Sequence, residues 1–274
     1  MFRYLIILCL FVLIVSCNED CLCPNDNYEI KIGVLISLSG YGSSTGESTA
    51  EALNIANDEI NSYLSSIKTP YRIKLIFENT QTDTSIVLDK AKALASQGCK
   101  VIIGPYSSAE LSAIKKWADD YGYLIISPSS VSISLAIPND NIFRFAPNDE
   151  TQAKAITKML KEDKIETIIP IVRDDLWGND LLNATTASFT QAGGKVLNAI
   201  KYNPNNFNQE NYIEYLTNAL KQEIKTTDSS KIGIYMISFG EGTDILNAAN
   251  DKVFDYVNWY GSSEIGRASC RERV

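Results

Sequence analysis

The sequence predicts an α/β protein built as two Rossmann-like lobes, each a parallel sheet flanked by helices. Three observations predict it. Short β-rich runs alternate with helical stripes along most of the chain. A polar break containing Pro138 interrupts the alternation near the middle. The 274 residues are 45% hydrophobic and 21% charged, which is globular composition and enough chain for two cores.

Residues 30–38 (IKIGVLISL) form a buried-strand run. Over 48–61, Ala52, Ile55, Ala56 and Ile60 fall on one helical face. Residues 71–77 (YRIKLIF) read as a second strand. Over 84–97 the stripe is Val87, Ala91 and Leu94, and Gly98 is the stop signal. Residues 101–103 are a third strand. Leu111, Ile114 and Ala118 mark a helix over 109–121, and 124–126 is the fourth strand. After the break at 134–141 the pattern restarts with a strand at 142–145. Helices at 150–161, 179–191, 209–222 and 243–250 then alternate with strands at 167–172, 195–202, 231–237 and 257–260. The organisation expected is a first lobe over 29–134, a hinge crossing at 135–141 and a second lobe over 142–263.

The two ends read differently. Residues 1–16 carry Arg3 and then an apolar run, as a signal peptide does. The run stops at Ser16-Cys17, which resembles a bacterial lipobox. Cys17 would then carry lipid and anchor the chain to a membrane, with 17–28 a polar tether. An ordinary cleaved signal peptide or a short anchor is the alternative. Residues 264–274 (EIGRASCRERV) hold three arginines, against four in the preceding 263 residues. The string matches the reading-frame translation of a sequencing adapter, so it is expected to be non-native. Cys9 leaves with the signal peptide and Cys270 lies in this tail. Cys21, Cys23 and Cys99 remain; either tether cysteine could pair with Cys99, and no cluster offers four zinc ligands.

Composition removes several chemistries. The chain has no histidine, which excludes Ser-His-Asp and Cys-His catalysis and HExxH metal sites. A net charge of −8 argues against a general nucleic-acid binder. The glycine-rich stretch 39–46 lacks the Gly-Lys-Ser/Thr of a P-loop and the spacing of GxGxxG. No cofactor is implied.

Three segments together carry a resemblance: 33–61, 101–132 and 142–152. Gly104-Pro105-x-Ser107-Ser108, followed by Ile126-Ser127-Pro128, is its most specific part. They resemble type I periplasmic solute-binding proteins, the branched-chain amino acid binding family of ABC importers. The resemblance covers nearly all of 29–263, and Trp259-Tyr260-Gly261-Ser262 resembles a family strand after which the chain returns to the first lobe, which implies that both lobes are incomplete here. It implies no catalysis, a small-molecule ligand such as an amino acid held between the lobes, and an ABC permease as partner. By it, Ser108 matches a carboxylate-contacting serine. Ser129, Ser130 and Val131 match contacts after Ser-Pro, with Ser132 a substitute hydroxyl. Trp177 and Phe239 match ligand-facing aromatics of the second lobe.

Position supports the same residues. Ligands of open α/β sheets bind beyond the carboxyl ends of the strands. The loops 39–46, 106–109 and 127–132 each follow a strand and should gather at one lip, which adds Ser39 and Thr45 as candidates. Helix capping is the alternative reading of the serines, and core packing that of the two aromatics. A ligand-sensing receptor module of the same fold, or a surface α/β enzyme, is the rival function.

Overall fold

The computed structural model describes residues 28–40, 42–204 and 208–263. Cys17, Cys21, Cys23, the expected signal peptide and the 264–274 tail lie outside them. Among the described residues, ten parallel-paired strands form two sheets. In the first, β1 (Tyr28–Ile36) lies between β2 (Tyr71–Asn79) and β3 (Val101–Ile103), followed by β4 (Leu124–Ser127) and β5 (Ile142–Arg144). Gly33 sits in register with Ile76 on one side and Ile102 on the other. The connections are α1 (Ser43–Ser66), α2 (Val87–Ser96) and α3 (Ser108–Tyr121).

The stripes expected on α2 and α3 are the ones buried. Val87, Ala91, Leu94, Leu111, Ile114 and Ala118 are fully buried against Leu35, Ile102 and Ile125. Each large aliphatic side chain there contributes about 1.5–3 kcal/mol by leaving water. Cys99 lies in the same core, and burial raises its thiol pKa. Helix α1 behaves differently. Ile55 and Ile60 share the expected face but are exposed, and Gly46 is the helix's only buried residue. No element among the described residues covers that face.

One expected boundary is corrected. Strand β5 pairs with β4, Ile125 opposite Ile142, and so belongs to the first sheet. The chain therefore crosses between lobes at 145–149, not at 135–141. Residues 133–135 wind into a single 3-10 turn that buries Leu135 in the first core, which keeps the chain in that lobe. A three-residue run such as Ile-Phe-Arg carries no periodicity that says which sheet it joins.

The second lobe has α4 (Glu150–Glu162), β6 (Thr167–Arg173), α5 (Leu176–Gln191), β7 (Lys195–Val196), β8 (Ile200–Tyr202), α6 (Gln209–Glu223), β9 (Ile232–Ile237), α7 (Gly242–Ala248) and β10 (Asn258–Gly261). Strands β6 and β9 are buried on both faces, as central parallel strands are. Alternate residues feed two cores. Ile168, Val172, Tyr235 and Ile237 pack under α4 and α5, while Ile169, Ile171, Ile234 and Met236 pack under α6 and α7. The single strand expected over 195–202 is two short ones along β6. Pro170, which has no N–H to give, lies at the gap between them.

The two sheets repeat one topology. The first runs β2-β1-β3-β4-β5, and the second runs β10-β9-β6 with β7 and β8 beyond β6. In the first, β1 sits between β2 and β3; in the second, β6 sits between β9 and the β7–β8 pair, which together take the place of β2. Each lobe thus has one topological switch point, where loops leave in opposite directions and open a crevice.

Candidate functional site

The loop after β3 starts the site. Gly104 has φ +96, and a Cβ there would lie 2.0 Å from the Leu35 carbonyl oxygen, so glycine is required. Ser107 then caps α3 in a reciprocal capping box. Its Oγ accepts from the Glu110 N–H (3.2 Å), and Glu110 Oε2 accepts from the Ser107 N–H (3.1 Å) and Oγ–H (2.7 Å). Glu110 is fully buried, and burial raises its carboxyl pKa above the ordinary range.

Ser108, the first residue of α3, is the centre of a polar cluster. Its Oγ accepts from Ser130 Oγ–H (2.9 Å) and from the N–H groups of Val131 (3.3 Å) and Ser132 (3.2 Å). Ser129 Oγ donates to the Tyr106 carbonyl (2.7 Å). The loop after β4 is thus tied to the loop after β3.

The second lobe supplies the opposing wall from its own switch point. Asp175 caps α5 by accepting from the Gly178 N–H (2.9 Å). This seats Trp177, which is 2% exposed. Trp177 stacks on Phe239, from the loop after β9, with centroids 4.8 Å apart and planes at 21°. On Phe239 also rests the Arg173 guanidinium, 4.5 Å from the ring centroid. Arg173 is held by Asp175 Oδ2 (2.5 Å) and Glu241 Oε1 (2.6 Å), and Tyr202 donates to Glu241 Oε1 (2.8 Å). Burial opposes the guanidinium charge, but the two carboxylates outweigh it and hold the pKa above its ordinary value. Burial beside Glu241 pushes the Tyr202 phenol up.

Between these walls lies a narrow space of about 10 Å3, lined by Tyr106, Ser107, Ser108, Ser129, Val131, Trp177 and Phe239. Tyr106 faces Phe239 across it, with ring centroids 6.2 Å apart. Ser107 also borders a wider opening of about 390 Å3 shared with Thr82, Arg173, Asp175 and Asn203. The lobes touch beside the site. Val131 packs on a second-lobe core, and Leu176 packs on the first-lobe core.

Five candidate residues therefore converge on one space: Ser108, Ser129, Val131, Trp177 and Phe239. Ser130 and Ser132 are buried behind it, bonded to Ser108. Ser39 and Thr45 do not join them. Helix α1 starts at Ser43, so Thr45 is already on its exposed first turn, and Ser39 turns aside to accept from Asn79 Nδ2 (2.9 Å). Tyr106, Arg173 and Glu241 were not named as site residues from the sequence, and Ser107 entered only as part of the Gly-Pro-x-Ser-Ser motif. Ser107-x-x-Glu110 is a legible capping-box spacing; the Arg173–Glu241 pair spans 68 residues and has no local signal.

A family model described as "Periplasmic binding protein" matches residues 29–245. An archaeal relative, the uncharacterized protein MJ1266 of Methanocaldococcus jannaschii, is 32% identical over 228 residues, 81% of this chain and 54% of that protein. The leucine-binding protein LivK of Thermotoga maritima is a structural neighbour with TM-score 0.65 and 19% identity, over 80% of this chain and 59% of its own. An ABC transporter substrate-binding protein of Desulfitobacterium hafniense in complex with Leu gives TM-score 0.61 at 22% identity, over 85% and 66%. The chain thus spans between half and two thirds of the length of these proteins.

Proposed function

Because the chain belongs to the periplasmic binding protein family, in its type I branch of ABC-transporter solute-binding proteins, we propose that it is the extracytoplasmic solute-binding component of an ABC importer. It binds a small polar ligand, such as an amino acid, between its lobes and delivers it to the permease. One observation carries this reading. Loops from the switch points of two separate sheets meet across one space, with the Ser108 cluster on one side and Trp177 with Phe239 on the other. The α3 N-terminus and the Ser108 hydroxyl favour an anionic group such as a carboxylate. Binding by hinged closure needs no reacting side chain. Lipid on Cys17 holds the protein at the membrane.

Titration calorimetry on the full chain with a panel of amino acids and related carboxylates tests the reading. One saturable ligand, recovered unchanged, is expected; absence of any binding overturns it. Radiolabelled fatty acid incorporation, lost in Cys17→Ala, tests the anchor.

A further inference from the structure

The end of the first lobe away from the cleft is cationic. The strands of its sheet are parallel, so their first residues gather at the pole opposite the site loops. Lys31 on β1, Arg72 and Lys74 on β2, Lys68 just before β2 and Lys100 just before β3 lie there. Among the described residues at these three strand starts, Glu29 is the one carboxylate. The chain as a whole carries a net charge of −8. Lys31 stands opposite Lys74 in register, a placement that like charges disfavour. Their local partners are modest. Lys31 Nζ donates to the Gln97 carbonyl (3.1 Å), and Lys74 meets Glu29 at 3.3 Å with both side chains half exposed. Tyr28 and Tyr71 stand at the same strand starts, 55% and 49% exposed, with ring centroids 5.8 Å apart. Farther along the pole the charges cancel locally: Asp119 and Asp140 pair with Lys115, and Asp120 with Lys116.

The same pole receives the chain from its N-terminus. Tyr28 follows Cys17 by eleven residues, so Cys17 stays within about 40 Å of it whatever path the chain takes. With lipid on Cys17, a bilayer surface is held within that distance of the cationic pole. We propose that this pole rests on the membrane, with Lys31, Lys68, Arg72, Lys74 and Lys100 against anionic lipid headgroups and Tyr28 and Tyr71 at the interface. The inference rests on the lipid-anchor reading above and goes beyond it, from attachment to orientation. Each cation near an anionic bilayer is drawn to it. Tyrosine suits the interface because its ring is apolar and its hydroxyl is polar. The cleft lies at the other end of β1, nine residues or about 30 Å away, so its lips stay clear of the headgroups. The second lobe is then the outer one and is left free to close.

The test is amine acetylation of the lipidated protein on phosphatidylcholine vesicles, with and without phosphatidylglycerol, read lysine by lysine by mass spectrometry. Lys31, Lys68, Lys74 and Lys100 are expected to react about tenfold more slowly on the vesicles with phosphatidylglycerol. Lys154 and Lys225, exposed on the second lobe, should react at the same rate on both. High salt should erase the difference, because it screens charges at a surface. Lys68→Glu combined with Arg72→Glu should erase it at Lys31 and Lys74 as well. Pole lysines that react equally fast on both vesicle types, with fatty acid present on Cys17, overturn the inference and leave the anchor reading standing. Equal slowing of the lysines of both lobes overturns it too, since the protein would then have no preferred side. Slowing that survives high salt overturns the headgroup contact even where the double variant fails to fold. No fatty acid on Cys17 overturns the anchor reading and the inference with it.

Discussion

Asp180 on α5 accepts hydrogen bonds from the Ser132 hydroxyl and from the Ser134 N–H, the latter at 2.9 Å. One carboxylate of the second lobe thereby holds the segment that follows β4 in the first. Ser132 also donates its N–H to Ser108 Oγ (3.2 Å), and its carbonyl accepts from Arg144 Nη1 (2.6 Å). The interlobe contact and the serine cluster of the cleft therefore share a residue.

Asp180→Ala should loosen closure. Burial raises the Asp180 pKa, but the hydrogen bonds from Ser132 and Ser134 outweigh it, so the folded value lies below the ordinary one. A depressed folded pKa contributes stability that is present above the unfolded value, about 4, and lost as pH falls through the folded value. Urea midpoints of the native chain should therefore drop as pH falls below about 4 by more than those of Asp180→Ala. Identical pH profiles for the two would remove Asp180 from the contact.

Ser108→Ala strips the acceptor from the Val131 and Ser132 N–H groups at once. With Ser132 fully buried, the expected loss is about 1–3 kcal/mol of stability or binding. Denaturation and calorimetry on the same preparation separate the two. Unchanged values in both would show that water replaces the hydroxyl.

Arg173→Met should cost about 3–5 kcal/mol, because it leaves Glu241, fully buried, without its cation. Arg173→Met with Glu241→Gln should recover part of that loss, since the uncompensated charge is gone. A double variant no more stable than the single would show that the Arg173 contact with Phe239 matters more than the ion pair.

Gly178→Ala should destabilise by about 1–3 kcal/mol. A Cβ would fall 2.0 Å from the Arg173 carbonyl oxygen, so α5 must shift and carry Trp177 with it. A lowered melting temperature together with a changed tryptophan emission is the expected pair of observations; neither changing would mean the helix start tolerates the methyl.

Phe143 and Phe145 are 57% and 78% exposed at the edge of the first sheet. Replacing both with serine should leave denaturation midpoints within about 0.5 kcal/mol per site and reduce aggregation in light scattering. A large loss of stability would place them in a core instead.

Much of this protein was determined by its sequence alone, where the signal is local. The periodicity of Val87-Ala91-Leu94 and of Leu111-Ile114-Ala118 sets the buried faces of α2 and α3. A one-stripe pattern at helical spacing has one way to leave water. The continuous apolar runs at 167–172 and 231–237 read as central strands because a parallel strand is covered on both sides. Strand position located the loops that hold Ser108 and Ser129, but it also offered Ser39 and Thr45, which lie elsewhere, and Trp177 and Phe239 were named only by the family resemblance. What tertiary structure decided is non-local. Which sheet β5 joins depends on Leu135 being anchored in the first core, not on the three residues of the strand. Whether Ile55 and Ile60 are covered depends on what lies beside α1, not on their spacing. The Arg173–Glu241 pair and the Asp180 contact join residues 68 and 46 to 48 positions apart. Charge pairing across such a separation leaves no period in the chain, because the two partners meet only after two sheets have fixed the ends of β6, β9 and the segment after β4.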